Sequence, residues 1–329
     1  MGRRYPRRMP RALPGRRRST PAAAARPPRI VVLGDLMLDV VLAPARPLLA
    51  GTDVPGRVAL RQGGSAANTA RWIARLGARS ALVCAVGRDR EGRELVAALE
   101  GDGVRVRAVR VPGERTGRIG VLVAPGGERS FVADRAAADR LRPADLIAAT
   151  FAMDLLHLPA YSLLGEPLGL AGRRAIDLAR AAGALVSLDL SSVGPLLAGG
   201  RRAAVRLVRA AAPDLLFATR VEAEAIVGGP DIAAIAELAP VVTIKHGRSG
   251  ATVMARTPDG PLTFDVATTA LDAADTTGAG DAFDAGFLVA WLAVDPAARH
   301  RPAALRRAVL AAHRAAARQL SSAPRELAL

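Results

Sequence analysis

Cysteine and lysine are almost absent from this chain, since Cys84 is its only cysteine and Lys245 its only lysine. A single thiol excludes disulfides within the chain and thiolate metal clusters. Cys84 lies in an apolar run, which favours a small buried core residue and fits a reducing cytoplasm. No run of eighteen uninterrupted apolar residues occurs, so the sequence predicts no membrane-spanning helix.

Acidic residues are missing from positions 1–29, which carry ten arginines among Pro, Ala and Gly. These arginines supply most of the formal net charge of +16, so the high charge is weak support for nucleic acid binding. The segment has neither a helical nor a strand period and predicts a disordered extension. A twin-arginine export signal would need an apolar segment that does not follow. We expect the folded domain at 30–325.

The segment 275–283 reads DTTGAGDAF and leads into an apolar helical run. A small-residue turn before a helix leaves backbone N–H groups unpaired at the helix start, where the dipole also favours anions. Asp281 then lies where phosphate oxygens would gather, which suits a base that takes a proton from an attacking hydroxyl. Alternatively, Asp281 is only a first-turn acid that complements the dipole. The pattern favours phosphoryl transfer.

Apolar runs typical of strands alternate with amphipathic segments typical of helices from residue 29 onward. The predicted strands are 30–33, 80–86, 105–109, 154–158, 185–190, 215–217 and 241–245. The predicted helices are 66–76, 90–100, 171–182, 201–210, 221–227, 279–294 and 302–320. This alternation predicts an α/β fold with a doubly wound, mainly parallel sheet flanked by helices, and ligands at the carboxyl ends of its strands.

Four short strand-like runs have no helix between the members of each pair. They are 40–43 with 57–61, and 116–123 with 129–133, the latter two joined by a hairpin signal. We expect a small antiparallel sheet near 40–61 and 115–134 that acts as a lid, because water competes with the acceptor hydroxyl for phosphate. An exposed edge of this lid also offers a surface for a homodimer.

Several motifs together resemble those of a known family. They are GGSAANTA at 63–70, LGA at 76–78, VGRD at 86–89, TG at 116–117, RAAA at 135–138 and the DTTGAGDAF segment. In this order and separation they resemble the ribokinase, or PfkB, family of sugar and nucleoside kinases, from about residue 30 to about residue 320. The resemblance implies a ribokinase-like fold, ATP and Mg²⁺ as cofactors, and phosphorylation of a hydroxymethyl group on a sugar or sugar-like molecule.

The resemblance also implies the site residues. The catalytic residues would be Asp281 as the base and Gly278, Ala279 and Gly280 as backbone donors to the transferred group. The substrate-binding residues would be Asp39, Gly63, Gly64 and Asn68. The cofactor-binding residues would be Thr219, Glu222, Lys245, Gly247, Gly250 and His313, with Glu222 holding Mg²⁺ through water. Two alternatives stay open, since Asn68 could be only a helix cap and His313 only a packing residue.

Three departures from the family pattern qualify these expectations. Met37 stands where ribokinases proper carry Asn, which disfavours ribose and favours a substrate with an apolar face. Thr219 replaces the Asn of an Asn-x-x-Glu element and has a shorter polar reach. Asp275 and Thr277 match residues that help bind potassium in many relatives, but the segment 320–324 lacks the glycine-containing loop that completes the site. This difference argues against potassium activation.

Two other functions stay open. A nucleoside kinase on the same scaffold would stack a base on an aromatic ring, and aromatic residues make up only 3% of the chain. Phe131 is the best-placed candidate, so the composition favours a sugar over a nucleoside. A non-catalytic sugar or nucleotide sensor would have no reason to keep Asp281 among phosphates. The sequence therefore predicts a cytoplasmic ATP-dependent sugar kinase with neither membrane nor nucleic acid as a partner.

Overall fold

The computed structural model describes Met1 and residues 26–124, 128–269, 275–322 and 326–327. The extension predicted at 1–29 falls mostly outside the described residues, as does the hairpin turn at 125–127. The strands are β1 (Arg29–Leu33), β2 (Met37–Pro44), β3 (Gly56–Gly63), β4 (Arg79–Gly87), β5 (Arg105–Val111), β6 (Arg118–Val123), β7 (Arg129–Asp134), β8 (Leu155–Pro159), β9 (Leu185–Asp189), β10 (Leu215–Thr219), β11 (Val241–Lys245), β12 (Ala251–Thr257) and β13 (Gly260–Val266). The α-helices are α1 (Ser65–Arg75), α2 (Arg90–Gly101), α3 (Leu168–Ala181), α4 (Val193–Leu197), α5 (Arg201–Ala211), α6 (Arg220–Val227), α7 (Ala279–Leu292) and α8 (Pro302–Ser321).

Nine of the described strands form one sheet in the order β13-β12-β11-β10-β9-β8-β1-β4-β5. The strands from β11 to β5 run parallel, and β12 and β13 add an antiparallel hairpin at one edge. The predicted alternation of strands and helices is confirmed. The prediction misses the hairpin at 251–266. Its outer strand, β13, has few apolar residues that would mark it as a strand, and only Val266 of β13 is buried.

Two apolar cores lie on opposite faces of this sheet, because successive strand residues point to opposite sides. Ile30 and Val32 of β1 belong to the core under α1, α2, α7 and α8. Val31 and Leu33 belong to the core under α3, α5 and α6. The sheet is therefore covered on both faces, as a doubly wound fold requires. Among the described helices, none combines the length and apolar character needed to cross a membrane.

The smaller sheet has the order β3-β2-β6-β7 and corresponds to the predicted lid strands. The expectation that it is antiparallel throughout is wrong, because β2 and β6 run parallel while the two outer pairs are antiparallel. The physical reason is connectivity. A long crossover through α1, β4, α2 and β5 separates β2 from β6, and such a connection permits parallel pairing.

Candidate active site

Asp281 lies in the first turn of α7, which begins after Gly278. Gly278 has a φ of 74°, a left-handed conformation that favours glycine. Ser65 donates a hydrogen bond to Asp281 Oδ1 at 2.6 Å, and Asn68 donates one to Oδ2 at 3.0 Å. Burial raises the pKa of Asp281 to about 6, and these two hydrogen bonds limit the rise. The carboxylate is thus ionised at neutral pH while its basicity exceeds that of an ordinary aspartate.

The predicted backbone donors, Gly278, Ala279 and Gly280, directly precede Asp281 at the start of α7. The N–H of Ala279 donates to the carbonyl of Thr276 at 3.2 Å and so closes the turn before the helix. Helix geometry leaves the next N–H groups, those of Gly280 and Asp281, without intrahelical acceptors. Ala279 and Gly280 also border a cleft, described below, so the start of α7 presents N–H groups and a positive dipole end to that cleft.

Asp39 lies on β2 opposite Arg61 of β3, and only 8% of its surface is exposed. Its Oδ1 atom is buried and has no hydrogen-bond partner in the described part of the chain. Burial, together with the nearby carboxylates of Asp35 and Asp281, raises the pKa of Asp39 to about 7. A Cβ atom at Gly63 would lie 1.8 Å from Asp39 Oδ1, so any larger residue here would displace the Asp39 carboxylate. An unpaired buried carboxylate oxygen indicates a site for a hydroxyl donor.

The first motif meets the terminal motif through Asn68. Gly64 is the N-cap of α1, so Asn68 lies inside the helix and the alternative that it caps the helix is wrong. Its amide nitrogen bonds Asp281, and its amide oxygen accepts from Gln62 Nε2 at 3.4 Å. A Cβ atom at Gly64 would lie 2.6 Å from the Asp35 carbonyl oxygen, which explains the glycine there. The contact between Asn68 and Asp281 joins residues 213 positions apart.

Asp35 and Met37 stabilise the turn between β1 and β2, next to the predicted substrate-binding residues. Asp35 accepts the N–H of Ala66 at 3.1 Å and a hydrogen bond from Arg135 at 3.0 Å. The carboxylate of Asp35 therefore holds the turn between β1 and β2 to α1 and to Arg135. Met37 is fully buried, and its terminal methyl lies beside Gly117 at the start of the lid. The side chain of Met37, the first residue of β2, thus packs against the chain that enters β6.

A cleft of about 340 Å³ borders the start of α7. Seven residues predicted for the cofactor or the transferred group line it, namely Thr219, Lys245, Gly247, Gly250, Ala279, Gly280 and His313. The ring of His313 lies 5.5 Å from that of Phe283, and its two buried nitrogens have no hydrogen-bond partner among the described residues. Burial lowers the pKa of His313 and favours the neutral ring, which offers one donor and one acceptor. The ring is suited to the edge of a nucleotide base.

Lys245 borders the same cleft, but its ammonium group is paired inside the protein. It donates to Asp189 Oδ1 at 3.1 Å and to Asp284 Oδ1 at 3.2 Å. Burial alone would lower the pKa of Lys245, but the two carboxylates raise it well above the ordinary value. Neither Asp189 nor Asp284 belongs to a motif recognised in the sequence. This buried cluster joins the ends of β9 and β11 to α7.

Thr219 and Glu222 form a reciprocal cap at the start of α6. The N–H of Thr219 donates to Glu222 Oε2 at 2.7 Å, and the N–H of Glu222 donates to Thr219 Oγ1 at 3.3 Å. Burial and the nearby Asp189 raise the pKa of Glu222, so a cation beside it would be favourable. No group of three metal-ligating side chains occurs among the described residues. The carboxylate of Glu222 is the kind of ligand that Mg²⁺ uses in small number, since this ion usually keeps several waters.

Asp275 and Thr277, the predicted potassium ligands, are bound by arginines of the lid. Arg61 Nη1 donates to Asp275 Oδ2 at 2.9 Å, and Arg129 Nη1 donates to Asp275 Oδ1 at 3.0 Å. Arg129 also donates to the hydroxyl groups of Thr276 and Thr277. Burial would raise the pKa of Asp275, but hydrogen bonds from Thr277 and the two arginines lower it.

Several contributors to the site belong to no motif. Asp189 has a usable signal, because it ends a predicted strand at the sheet edge where ligands of a parallel sheet collect. Asp284 follows Asp281 by three residues and so lies on the same side of α7. Arg129 has no such signal, since only the tertiary fold brings it to the loop at 275–281. Ser65 lies within the GGSAANTA motif, but its contact with Asp281 is likewise evident only from the fold.

Comparison with known proteins identifies the family. The model for pfkB family carbohydrate kinases matches residues 27–324. Fructokinase-1 of Zea mays is 31% identical over 286 residues, which cover 81% of this chain and 84% of the maize protein. The chain belongs to the PfkB family of carbohydrate kinases, as its motifs predict. It is a phosphotransferase with an alcohol group of a sugar as acceptor.

Solved structures share the fold over nearly the whole chain. Adenosine kinase from Sinorhizobium meliloti superposes with a TM-score of 0.77 at 23% identity, covering 90% of this chain and 94% of that one. Fructokinase from Vibrio cholerae O395, solved with fructose, ADP and calcium, gives a TM-score of 0.74 at 25% identity over 90% and 93% of the two chains. The ribokinase-like fold with a separate small sheet is confirmed.

Proposed function

We propose that this protein transfers the γ-phosphoryl group of ATP to a hydroxymethyl group of a sugar, with Asp281 as the general base. One observation carries the proposal. The carboxylate of Asp281 is hydrogen-bonded to Asn68 of the first motif, and it follows directly on Gly280, which lines the cleft. It therefore lies between a polar pocket and the cleft, where an acceptor hydroxyl and a phosphate would meet.

In the proposed reaction, Asp281 accepts the proton of the acceptor hydroxyl. The hydroxyl oxygen attacks the γ-phosphorus of ATP, and ADP leaves. A pKa of about 6 suits this role at neutral pH, because the base is ionised yet more basic than a solvated aspartate. The N–H groups of Gly278 and Gly280 at the start of α7 would stabilise the charge on the transferred group, while that of Ala279 closes the turn. Such positioning and charge stabilisation are the main means of catalysis in phosphoryl transfer.

The cleft would hold ATP, with His313 and Phe283 beside the adenine ring. The loop from Lys245 to Gly250 and the cap formed by Thr219 and Glu222 would approach the phosphates. When bound, Mg²⁺ would neutralise phosphate charge, and Glu222 would hold it through water, using the carboxylate oxygen Oε1 that the cap leaves over. Dependence on ATP also supports the expected cytoplasmic location.

The sugar would bind at Asp39, Gly63, Gly64 and Asn68. The unpaired Oδ1 atom of Asp39 can accept a hydroxyl proton, and the two glycines let a ligand approach the backbone closely. A pKa of about 7 lets Asp39 exist in both protonation states near neutral pH, so its carboxyl group can accept or donate. Because the maize relative is a fructokinase, a ketohexose is the first acceptor to test.

A nucleoside is the second candidate acceptor, and the position of Phe131 favours it. Phe131 follows Arg129 by two residues on β7 and therefore points to the same side of the lid. Arg129 reaches the loop at 275–277, so that side faces the site. Phe131 is 58% exposed, which leaves its side chain free to cover a base.

An acceptor panel separates these functions. ADP release from ATP and Mg²⁺ would be measured with fructose, other hexoses, pentoses, keto-acid sugars and nucleosides, and with no acceptor as the control. We expect acceptor-dependent ADP release with a sugar and a phosphorylated product at its hydroxymethyl group. Release only with nucleosides would support the second candidate. No acceptor-dependent release, together with ATP or sugar binding, would instead indicate a sensor and contradict the proposal.

The outer side of the lid supports a homodimer. Leu42 and Val58 are paired across β2 and β3, and Val132 of β7 shares their side of the sheet. They are 39%, 65% and 76% exposed. An apolar patch at a sheet of this kind is a common association surface. Light scattering of the purified chain and of Val132→Asp tests this, and a concentration-independent monomer would contradict it.

A further inference from the structure

The loop at 275–278, which leads to the start of α7, is held from two sides by N–H donors of the protein. On the lid side, Arg61 and Arg129 bind the two carboxylate oxygens of Asp275. On the other side, Gln319 Nε2 of α8 donates to the Thr277 carbonyl oxygen at 2.9 Å. The amide of Gln319 is itself fixed, because its Oε1 accepts from Trp72 Nε1 at 3.0 Å.

These donors occupy the oxygens that a monovalent cation would need at this position. Both Asp275 oxygens, the Thr277 hydroxyl and the Thr277 carbonyl already accept hydrogen bonds from protein groups. The two guanidinium groups are 17% and 21% exposed and bring more positive charge than Asp275 can balance alone. A potassium ion at Asp275 would therefore have to displace an arginine and would be repelled by the other. The described residues do not fit the potassium site that the family resemblance suggests.

We propose that Arg129, supported by Arg61 and Gln319, does in this protein what an exchangeable monovalent cation would do elsewhere. It fixes the loop at 275–278 so that the N–H groups of α7 stay aimed at the transferred phosphoryl group. Arg129 is thus a positioning residue, because it touches the loop and not the reacting atoms. The inference rests on the proposed phosphoryl transfer at Asp281. Its consequence is a kinase whose turnover is independent of potassium.

The first part of the test compares salts on the unaltered full-length protein. Thermal unfolding and ADP release with fructose as acceptor would be measured in potassium, sodium and choline chloride at equal ionic strength. We expect turnover to agree within about twofold, and the melting temperature within about 2 °C, across the three salts. Activation by potassium alone, or a rise in melting temperature with potassium alone, would overturn the inference.

The second part removes the arginine. In choline chloride, Arg129→Ala should lower kcat by roughly 10- to 100-fold with little change in the dissociation constant of ATP, since a loop displaced by about 1 Å loses rate rather than binding. Arg129→Lys should keep most of the activity. Arg118→Ala is the matched control, because Arg118 is a lid arginine that binds Glu91 outside the site. It should behave as the unaltered protein does.

Rescue distinguishes positioning from a general structural role. Millimolar guanidinium or potassium should restore at least part of the kcat of Arg129→Ala and leave Arg118→Ala unchanged. Restoration by neither cation, or a kcat for Arg129→Ala equal to that of the unaltered protein, would overturn the inference. If no acceptor is phosphorylated at all, the proposed function fails instead. In that case the melting temperatures of the unaltered protein in the three salts still decide whether potassium binds.

Discussion

We expect Lys245, the chain's only lysine, to contribute mainly to the stability of the fold. Lys245→Met keeps the length and apolar stem of the side chain but removes the ammonium group that pairs with Asp189 and Asp284. Those carboxylates have side-chain exposures of 7% and 1%, so water cannot replace the lost charge. Breaking a buried ion pair from one side costs about 3–5 kcal/mol. We therefore expect the melting temperature to fall by on the order of 10 °C.

Scanning calorimetry measures this effect. Adding Asp284→Asn to Lys245→Met should recover part of the loss, because it removes one of the two uncompensated carboxylates and the costs of contacting groups do not add. Arg220→Met is the matched control. It breaks an exposed ion pair with Glu224, and such pairs are worth about 0–1 kcal/mol.

The reasoning about this cluster would be refuted by a stable variant. A Lys245→Met protein within about 1 kcal/mol of the original would mean that the ammonium group does not compensate the buried carboxylates. A double variant whose cost equals the sum of the single costs would mean that the charges do not interact. A raised KM for ATP with unchanged stability would assign Lys245 to the nucleotide instead.

Three further predictions concern the two ends of the site. Gly63→Ala places a methyl group against Asp39. It should lower kcat/KM for the sugar by roughly 10- to 150-fold, because the sugar loses its hydrogen bonds to the Asp39 carboxylate. An unchanged KM for ATP is the control. The base must be ionised, so kcat/KM should fall as pH drops through about 6, where Asp281 takes up a proton, and a decline centred near pH 4 would contradict its raised pKa. His313→Ala should raise KM for ATP by roughly 2- to 12-fold and leave the sugar KM unchanged, and an unaltered ATP KM would show that the ring only packs against Phe283.

The motif residues and the parallel sheet can be predicted from the sequence, because both depend on local patterns. The turn before Asp281 and the strand ending at Lys245 follow from glycine spacing and apolar runs. The parallel pairing of β2 with β6 was not predictable, since it depends on a long crossover rather than on the strands themselves. The same holds for β13, whose weak apolar signal reflects an edge position.

The electrostatics of the site depend on tertiary contacts that no local pattern records. Nothing near Lys245 in the sequence indicates that Asp189 and Asp284 neutralise it. Nothing near Asp275 indicates that two lid arginines more than a hundred residues away bind it. The departure at 320–324 argues against potassium from the sequence, but the reason that the structure offers is different. It lies in the N–H donors that hold Asp275 and Thr277.

The rate of the Asp281→Asn protein tests the central claim most directly. Its kcat would be measured with the best acceptor of the panel, and ATP binding by calorimetry. Asp295→Asn serves as the control, because Asp295 caps the turn beyond the far end of α7. Loss of a general base predicts a kcat lower by roughly 10²- to 10⁴-fold with ATP binding retained. A kcat within about tenfold of the original would contradict the role of Asp281 as the proton acceptor.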